Sequence, residues 1–312
     1  MGERKINKIK IKELILLGRF QFLSGGFLLY FMGFLLASLS INRFSISLFL
    51  FGYAIMLPAH LGLSYSNNYY DMKGDRFNKP NLFSGGSKIL INNPELKKIC
   101  LGISIILMII SITLAFVFIV LYSFSYYFLV FVIFGNLLGF FYSAPPLRLA
   151  YRGIGEIANM ITMGILMPGI GYWILKGELD ILFYTFASVF LLYGLHFIIS
   201  VELPDMEGDM KAKKYTLVTR IGRKNSYKLL LLTIFSASIL LIFLSILNII
   251  SKTVNLLIIF LLSFIPLVTG LSGWLKKPFT KKNSIIISRN NIFALVGFIF
   301  TINIYLIYSF VF

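Results

Sequence analysis

The sequence predicts an all-α, polytopic membrane protein with nine transmembrane helices around a central cavity. Of the 312 residues, 58% are hydrophobic and only 13% are charged. A soluble domain of this length could not bury that much apolar surface, so lipid is the expected solvent. The chain also contains nine separate apolar segments, and its basic residues are concentrated in every second connection between them. Both patterns are typical of a chain that crosses a membrane repeatedly.

The nine apolar segments are each close to the ~20 residues that cross the hydrocarbon core of a bilayer. They cover residues 15–39, 45–66, 99–121, 125–141, 154–175, 181–201, 228–249, 254–274 and 291–311. The fourth is short, and we expect its helix to include residues from its flanks. The first is too long for a signal peptide and is followed by no small-residue cleavage site, so we expect a retained span. The single cysteine, Cys100, excludes an intramolecular disulfide.

The positions of the basic residues predict how the chain is oriented. Of the 29 Lys and Arg residues, 25 lie in the N-terminal arm and in alternate connections, at 67–98, 142–153, 202–228 and 275–290. By the positive-inside rule, the N-terminus and these connections face the cytoplasm and the C-terminus lies outside, which suggests the cell membrane. The net charge of +17 is then explained by topology, with attraction to anionic membrane lipids, and no nucleic-acid partner is expected.

Acidic residues are scarce, and half of the twelve fall in two clusters. Each cluster follows an apolar segment, contains an Asp-x3-Asp step and precedes basic residues. The clusters are Asp71 and Asp75 in "SNNYYDMKGDRFNKPN", and Glu202, Asp205, Glu207 and Asp209 in "VELPDMEGDMKAKKYTL". Both are predicted to lie at the cytoplasmic end of a span.

The spacing within the clusters favours a metal site. Side chains four residues apart lie on one helical face, so Asn67, Asp71 and Asp75 can direct their oxygens the same way, as can Asp205 and Asp209. Like charges at this spacing repel, and carboxylates near a helix C-terminus oppose the helix dipole. A Mg²⁺ ion, which prefers carboxylate oxygens together with substrate phosphates, would remove this cost. The alternative is that the acids are solvated loop charges.

The two clusters also suggest an internal repeat. The first aspartates of the two Asp-x3-Asp steps are 134 residues apart, with four apolar segments in each unit. We expect one integral-membrane domain over residues 1–312, with two similar four-helix halves at about 15–141 and 154–274 and a ninth helix at 291–311.

Three motifs resemble those of the UbiA superfamily of intramembrane prenyltransferases. "NNYYDMKGD" (residues 67–75) is similar to the family's first Asp-rich motif, and "DMEGD" (205–209) with the following "KKYTLVTRIG" is similar to its second. "YSAPPLRL" (142–149) resembles the loop between the fourth and fifth spans. The nine-span topology agrees with that family.

Other residues resemble particular branches of the superfamily. "YRGIGEIANMITMGILMPGIGYWILKGELD" is similar to the fifth span of 1,4-dihydroxy-2-naphthoate polyprenyltransferases, which "SGGSKIL" also suits. The Arg-Thr-x-x-Arg-Pro signature of the 4-hydroxybenzoate and haem O branches is missing, and "DRFNKPNLFSGG" keeps some likeness to archaeal geranylgeranylglyceryl phosphate prenyltransferases. Two positions depart from the family pattern: Asn68 stands where Asp is common, and Phe20 where an Arg-Pro pair is usual.

The resemblance implies Mg²⁺-dependent transfer of a polyprenyl group from an isoprenyl diphosphate to an aromatic quinone precursor, as in menaquinone-type biosynthesis. The diphosphate would lie at the cytoplasmic mouth and the tail among the helices, and ionisation to an allylic cation would precede attack by the acceptor. The implied metal ligands, of which the aspartates are also the catalytic candidates, are Asn67, Asp71, Asp75, Asp205 and Asp209.

For each of the further candidate site residues, the sequence also allows an alternative interpretation. Arg19 is an isolated charge in an apolar segment, so we expect it to face the cavity, unless it extends to the nearby interface. Glu156 is a candidate for orienting the acceptor or taking its proton, or else a charge that stabilises a helix N-terminus. His60 lies on nearly the same face as Asp71 and is otherwise a packed polar group. The remaining substrate-binding candidates, which could equally be topological charges or part of a helix-ending turn, are Arg76, Lys79, Lys211, Arg148 and Tyr142.

Three other functions fit parts of the pattern. Prenylation of geranylgeranylglyceryl phosphate in archaeal lipid synthesis would use the same donor site. A cation-coupled transporter would also contain intramembrane acids and an internal repeat, but such acids tend to lie near the midplane of the bilayer. A CDP-alcohol phosphotransferase would need an Asp-Gly-x2-Ala-Arg motif, which the sequence lacks.

Overall fold

The computed structural model describes residues 2–248, 250 and 253–312, and all regular structure within them is helical. The α-helices are joined in places by short 3₁₀ turns and by one π-helical segment, Thr162–Leu166. In chain order they are α1 (Gly2–Leu17), α2 (Leu23–Ile41), α3 (Ile46–Asp75), α4 (Ile89–Asn92), α5 (Lys97–Leu121), α6 (Tyr126–Ser143), α7 (Leu149–Arg152), α8 (Gly155–Ile161), α9 (Met167–Lys176), α10 (Ile181–Glu202), α11 (Met206–Lys211), α12 (Leu217–Leu247), α13 (Leu256–Leu262), α14 (Phe264–Leu275) and α15 (Lys281–Val311).

Nine segments of the described chain are long and apolar enough to cross a membrane. Several combine two helices across a short break. They are Lys10–Ile41, Ile46–Asp75, Pro94–Leu121, Tyr126–Ser143, Gly155–Lys176, Ile181–Lys211, Leu217–Leu247, Leu256–Leu275 and Lys281–Val311. The predicted fold class, an all-α polytopic membrane protein with nine spans, is confirmed.

Several helices extend beyond the apolar segments that predicted them. The second was expected to end at residue 66, but α3 continues to Asp75 and carries the whole first acidic motif. In the same way α12 begins at Leu217 and α15 at Lys281, about ten residues before their apolar segments. Hydropathy marks the apolar part of a helix, whereas the backbone hydrogen bonds continue through polar turns that no longer need lipid.

The first span is interrupted, contrary to the prediction of one helix over 15–39. Helix α1 ends at Leu17, Arg19 adopts a left-handed backbone (φ 50°), and α2 begins at Leu23 after a 3₁₀ turn. Helix α3 binds the carbonyl groups freed at this break: the Asn68 side chain donates to the Leu17 carbonyl at 3.0 Å. The break therefore places Arg19 just before α2, beside the polar part of α3.

Small residues let the inner helices approach closely. A Cβ at Gly33 of α2 would overlap the backbone of Pro168 in α9, and one at Gly171 would overlap the backbone of Tyr30. Such contacts are common where membrane helices pack without a hydrophobic driving force between them. Helix α10 lies inside the bundle and packs against α2, α8, α12 and α15. Of these helices, α2, α8, α10 and α15 line the cavity described next, together with α3.

Candidate active site

Both acidic clusters reach one cavity of about 430 Å³. Its wall is built mainly from α2, α3, α6, α8, α10 and α15, with single turns of the π-helical segment, α9 and α11 and the loop after α3. The aspartates at its polar end, which we call the acidic mouth, are Asp71, Asp75, Asp205 and Asp209. Away from the mouth the wall is mainly apolar, so the cavity joins a charged end to a hydrophobic interior.

The first half of the acidic mouth lies on α3. Asn67, Asp71 and Asp75 all line the cavity, as their four-residue spacing predicts. The Ser143 hydroxyl at the end of α6 donates to Asp71 Oδ2 at 2.9 Å. Within the described part of the chain, Asp71 Oδ1 and Asn67 Oδ1 are buried and have no hydrogen-bond partner. These two oxygens are free to bind a cation.

The second half does not continue α10 as the sequence suggested. Helix α10 ends at Glu202, Pro204 lies in a 3₁₀ turn that ends at Asp205, and Asp209 lies in the separate helix α11. A proline within the turn favours this change of direction because it lacks a backbone N–H and its ring crowds the preceding turn, which kinks or breaks a helix. Asp205 and Asp209 nevertheless both line the cavity, and Glu202, which was not a predicted site residue, lines it with them.

The loop between α3 and α4 connects the two acidic clusters. The Gly85 N–H donates to Asp205 Oδ2 at 2.7 Å, and the Asn78 side chain donates to Asp209 Oδ1 at 3.2 Å. Gly85 and Gly86 both have positive φ values, and a Cβ at Gly86 would overlap the Asp75 carboxylate. Glycine is thus required here both for the backbone conformation and for the close approach.

Two basic side chains are found among the described residues that line the cavity, Arg19 and Lys214. Burial opposes the charged form of Lys214, but the nearby carboxylates of Asp209 and Asp71 outweigh it and raise the pKa of Lys214 well above its ordinary value. Arg19 lies with its guanidinium 5.3 Å from the centre of the Phe22 ring. The mouth therefore contains two fixed positive charges beside four carboxylates.

Lys214 could not be predicted from the sequence, because "KAKK" contains three lysines and no spacing rule distinguishes them. The predicted residue, Lys211, is exposed at the end of α11 and does not line the cavity. Arg76 and Lys79 are also exposed, as is Arg148, whose guanidinium lies 4.0 Å from the centre of the Tyr151 ring. These four charges lie on polar turns outside the cavity, where water solvates them; a role for them in binding the diphosphate stays a prediction.

The remaining candidates are buried or half-buried. Tyr142 and His60 line the cavity, and His60 packs closely against Gly26, where a Cβ would overlap its ring. Glu156 is buried behind the wall and accepts a hydrogen bond from the Leu217 N–H, so it caps the start of α12. Glu156 also lies in the first turn of α8, so this position agrees with a helix N-terminal role for both α8 and α12.

The oxygens of the acidic mouth suit a hard divalent cation that keeps part of its water. Carboxylate and amide oxygens are the ligands that Mg²⁺ prefers, usually one or two carboxylates with substrate phosphates. No three acidic, His or Cys side chains in the described chain converge as a complete ligand set. The two buried oxygens without partners, on Asn67 and Asp71, therefore fit a site that is completed by a bound phosphate.

Comparison with known proteins gives the family. The profile of the UbiA prenyltransferase family matches residues 26–292, which include both acidic motifs and most of the nine spans. The chain belongs to the UbiA prenyltransferase family. The assignment made from the three motifs is thereby confirmed, and with it the enzyme class, a prenyltransferase.

Two curated relatives match parts of this UbiA family member. A probable homogentisate phytyltransferase 2 of Oryza sativa is 28% identical over 166 residues, which cover 51% of this chain and 41% of that protein. A 2-carboxy-1,4-naphthoquinone phytyltransferase of Synechocystis is 29% identical over 105 residues, or 32% of each chain. The chain thus matches less than half the length of either relative.

Solved structures of UbiA homologues share the fold over nearly the whole chain. An Archaeoglobus fulgidus homologue bound to GPP and Mg²⁺ has a TM-score of 0.65 at 18% identity and covers 91% of this chain and 99% of its own. An Aeropyrum pernix homologue has a TM-score of 0.66 at 15% identity, with 89% and 97% covered. A digeranylgeranylglyceryl phosphate synthase has a TM-score of 0.59 at 20% identity, with 94% and 99% covered. At these identities the likeness concerns the fold alone.

Proposed function

We propose that this UbiA family member transfers a polyprenyl group from an isoprenyl diphosphate to a hydroxylated aromatic acceptor of the 1,4-dihydroxy-2-naphthoate type. The observation that supports the proposal is the cavity itself, which has four aspartates, Glu202 and two cations at one end and apolar walls beyond them. A diphosphate head suits the charged end, and a prenyl tail suits the apolar part.

The donor's head group is held by opposite charges. Mg²⁺ held by Asn67, Asp71, Asp75, Asp205 and Asp209 would neutralise the diphosphate and so make it a better leaving group. Lys214 and Arg19 approach the same oxygens from the cavity wall and stabilise the charge that develops as the C–O bond breaks. Arg76, Lys79 and Lys211, together with Arg148 in the neighbouring loop, form an outer basic rim that attracts the anionic donor.

The C–O bond breaks with its electron pair leaving on the diphosphate, and C1 of the donor becomes an allylic cation. An electron-rich ring carbon of the acceptor forms the new bond to C1 and then loses a proton, which the released diphosphate takes up. Four aromatic rings line the cavity near the mouth: Phe22 lies 5.9 Å from Phe83 and 6.3 Å from Phe197, and Phe83 lies 5.5 Å from Phe293. Their faces stabilise positive charge and their bulk excludes water that would trap the cation.

Two lines of support favour an aromatic acceptor. Both curated relatives are named for aromatic or quinone substrates, homogentisate and 2-carboxy-1,4-naphthoquinone. The sequence of the fifth span also resembles that of 1,4-dihydroxy-2-naphthoate polyprenyltransferases, as described above. A second candidate acceptor is geranylgeranylglyceryl phosphate, which the structural likeness to a digeranylgeranylglyceryl phosphate synthase supports.

The proposed location is the cell membrane, with the acidic mouth at the cytoplasmic side. The reason is the charge of the connections at that end, which include the loop after α3 and the segment between α11 and α12. Cysteine substitutions at exposed Lys79 and Lys211, labelled in sealed vesicles by a membrane-impermeant thiol reagent, test this orientation. Labelling from the periplasmic or extracellular side would contradict it.

The test of function uses purified protein, Mg²⁺ and labelled geranylgeranyl diphosphate, with each acceptor supplied separately. We expect the naphthoate to be alkylated and diphosphate to be released. Asp71→Asn should lower the rate at least 100-fold, whereas Glu95→Gln, at an exposed carboxylate remote from the cavity, should not. If neither acceptor is alkylated and no diphosphate is released, the proposal is wrong, and ion-dependent uptake into vesicles would then test the transporter alternative.

A further inference from the structure

A second, smaller cavity adjoins the main one. It measures about 50 Å³ and lies between α3, α6, the π-helical segment and α9. We call it the annex. It shares part of its wall with the main cavity, namely His60, Leu63, Gly139, Thr162 and Met167. A ligand in the main cavity can therefore extend towards the annex where these residues form the common wall.

The annex is apolar except for a few hydrogen-bonding groups. The described residues that line it include no Lys, Arg, Asp or Glu. Asn136 is 4% exposed, and its amide nitrogen donates to Ser111 Oγ at 3.1 Å and to the Val132 carbonyl at 2.9 Å. Its Oδ1, held in place by these two bonds, has no hydrogen-bond partner among the described residues. A buried acceptor without a partner is costly, so this oxygen points to a ligand that brings an O–H or N–H donor.

A local change in helix geometry coincides with the annex. Thr162–Leu166 forms a π-helical segment, and its members Thr162 and Leu166 line the annex. Such segments are rare and occur frequently at functional sites because the wider turn redirects side chains. Across the annex, α6 has glycines at 135 and 139, so no side chain from these positions occupies the space facing Leu166 and Leu63. The wider turn and the glycines together keep the annex open.

The depth of the annex matches the place where an acceptor must lie. Ser143 on α6 binds Asp71 at the mouth, and Gly139 lies one helical turn deeper, roughly 6 Å away along the axis. Asn136 lies about 10 Å below Ser143 by the same measure. The reacting carbon of the acceptor must meet C1 of the donor just below the diphosphate. The far edge of the acceptor ring would then reach the level of Gly139 and Asn136.

From these observations we infer that the annex is the acceptor subsite, and that it takes the uncharged edge of a hydroxylated aromatic ring, with Asn136 Oδ1 accepting a ring O–H. The inference rests on the proposed function and names the class of acceptor. A phosphate-bearing lipid acceptor would find no cation among the described residues of the annex. The donor's head group stays at the acidic mouth, outside it.

The glycines of α6 provide a test that leaves the fold intact. A Cβ at Gly135 would lie 3.6 Å from Leu166 Cδ1, and one at Gly139 would lie 3.5 Å from Leu63 Cδ1, which are ordinary van der Waals distances. Alanine also suits a helix better than glycine does. Gly135→Ala and Gly139→Ala should therefore fold while filling part of the annex, and Gly102→Ala, whose Cβ would meet nothing within 4 Å, is the matched control.

We expect both annex variants to raise the KM for 1,4-dihydroxy-2-naphthoate about 10-fold, with the KM for geranylgeranyl diphosphate changed less than about 2-fold. Asn136→Leu should raise the acceptor KM similarly. Binding of 1-naphthol, measured by calorimetry without turnover, should weaken in the same order. Gly102→Ala should match the unmodified protein in all three measurements.

Other outcomes would overturn the inference. A larger rise in the donor KM would mean that the annex holds the prenyl tail, and no change in either KM would mean that it holds neither substrate. If the unmodified protein alkylates only geranylgeranylglyceryl phosphate, the acceptor class is wrong although the enzyme is a prenyltransferase. Failure to release diphosphate with any acceptor would instead count against the proposed function.

Discussion

Asn78 and Asp209, 131 residues apart in the sequence, are joined by a hydrogen bond of 3.2 Å from the amide Nδ2 to the carboxylate Oδ1. Asn78 belongs to the loop after α3 and Asp209 to α11, so the bond connects the two acidic clusters. Gly208 makes room for it, because a Cβ there would overlap the Asn78 side chain. The loop thus orients a predicted metal ligand from outside the ligand set.

Asn78→Ala should therefore impair metal binding rather than folding. Groups that orient metal ligands typically contribute 10- to 100-fold to metal affinity or activity, so we expect the Mg²⁺ concentration for half-maximal prenyl transfer to rise about 10-fold. The measurement is a Mg²⁺ titration of the initial rate after chelator treatment. Asn225→Ala, at an exposed asparagine of α12, is the control. An unchanged Mg²⁺ requirement with a lower thermal stability would show that Asn78 acts only in packing.

Lys214→Met and Lys211→Met should differ sharply although the two lysines are three residues apart. Lys214 is half-buried beside carboxylates in the cavity wall, whereas Lys211 is exposed outside it. Loss of this charge-assisted contact to the diphosphate should raise the donor KM about 10- to 100-fold. The exposed substitution should change it less than about 3-fold. Steady-state kinetics with varied donor concentration measure both, and equal effects would refute this assignment of Lys214.

The fold and the acidic residues of the mouth could be predicted because their signals are local. Nine apolar segments indicate nine spans, and Asn67, Asp71 and Asp75 lie on one face because α3 continues through them. Contacts between residues that are far apart in the sequence could not be predicted. The bond from Gly85 to Asp205 joins residues 120 apart, and only the folded bundle selects Lys214 from its neighbours.

The positions at which the helices break could not be predicted either. Arg19 was expected inside one continuous span, yet Gly18 and Arg19 separate α1 from α2, and Pro204 separates Asp209 from α10. Hydropathy averages over such positions and cannot locate them. The division into two similar halves stays a prediction, because it was inferred from the spacing of the motifs alone.

Gly33→Ala should destabilise the bundle more than a Gly→Ala substitution whose Cβ would meet no neighbouring atom. Its Cβ would overlap the Pro168 backbone, which cannot move aside as a flexible side chain would. Overpacking of this kind costs about 1–3 kcal/mol or more. The single cysteine, Cys100, is fully buried, so its reaction with a thiol-reactive dye on heating reports unfolding directly. Gly297→Ala, whose Cβ would meet nothing within 4 Å, should leave the transition unchanged; an equal shift in both would contradict the packing account.

A half-buried ion pair at the opposite end of the bundle predicts how stability depends on pH. Asp180 binds Lys176 Nζ at 2.5 Å and accepts from the Tyr172 hydroxyl at 2.6 Å and from the Phe183 N–H at 3.2 Å. Partial burial opposes the carboxylate, but the hydrogen bonds from Lys176 and Tyr172 outweigh it and lower the pKa of Asp180 below its ordinary value.

Because the folded-state pKa lies below the unfolded one, this stabilisation is present above the unfolded value of about 3.9 and is lost as the pH falls through the folded value. Asp180→Asn should therefore lower the free energy of unfolding by about 1–2 kcal/mol at pH 7. The difference from the unmodified protein should shrink as the pH falls below about 4, because the unfolded chain takes up a proton at Asp180 before the folded chain does, and it should vanish once the pH lies below the folded-state pKa as well. The stability difference is measured by thermal scans at pH 7, 5 and 3.5, which follow intrinsic fluorescence instead of the reaction of Cys100.

The control is Glu95→Gln, which removes an exposed pair with Lys10 at 3.6 Å and should shift the transition little at any pH. A difference for Asp180→Asn that grows as the pH falls would mean that Asp180 is protonated in the native protein and donates, rather than accepts, its hydrogen bonds.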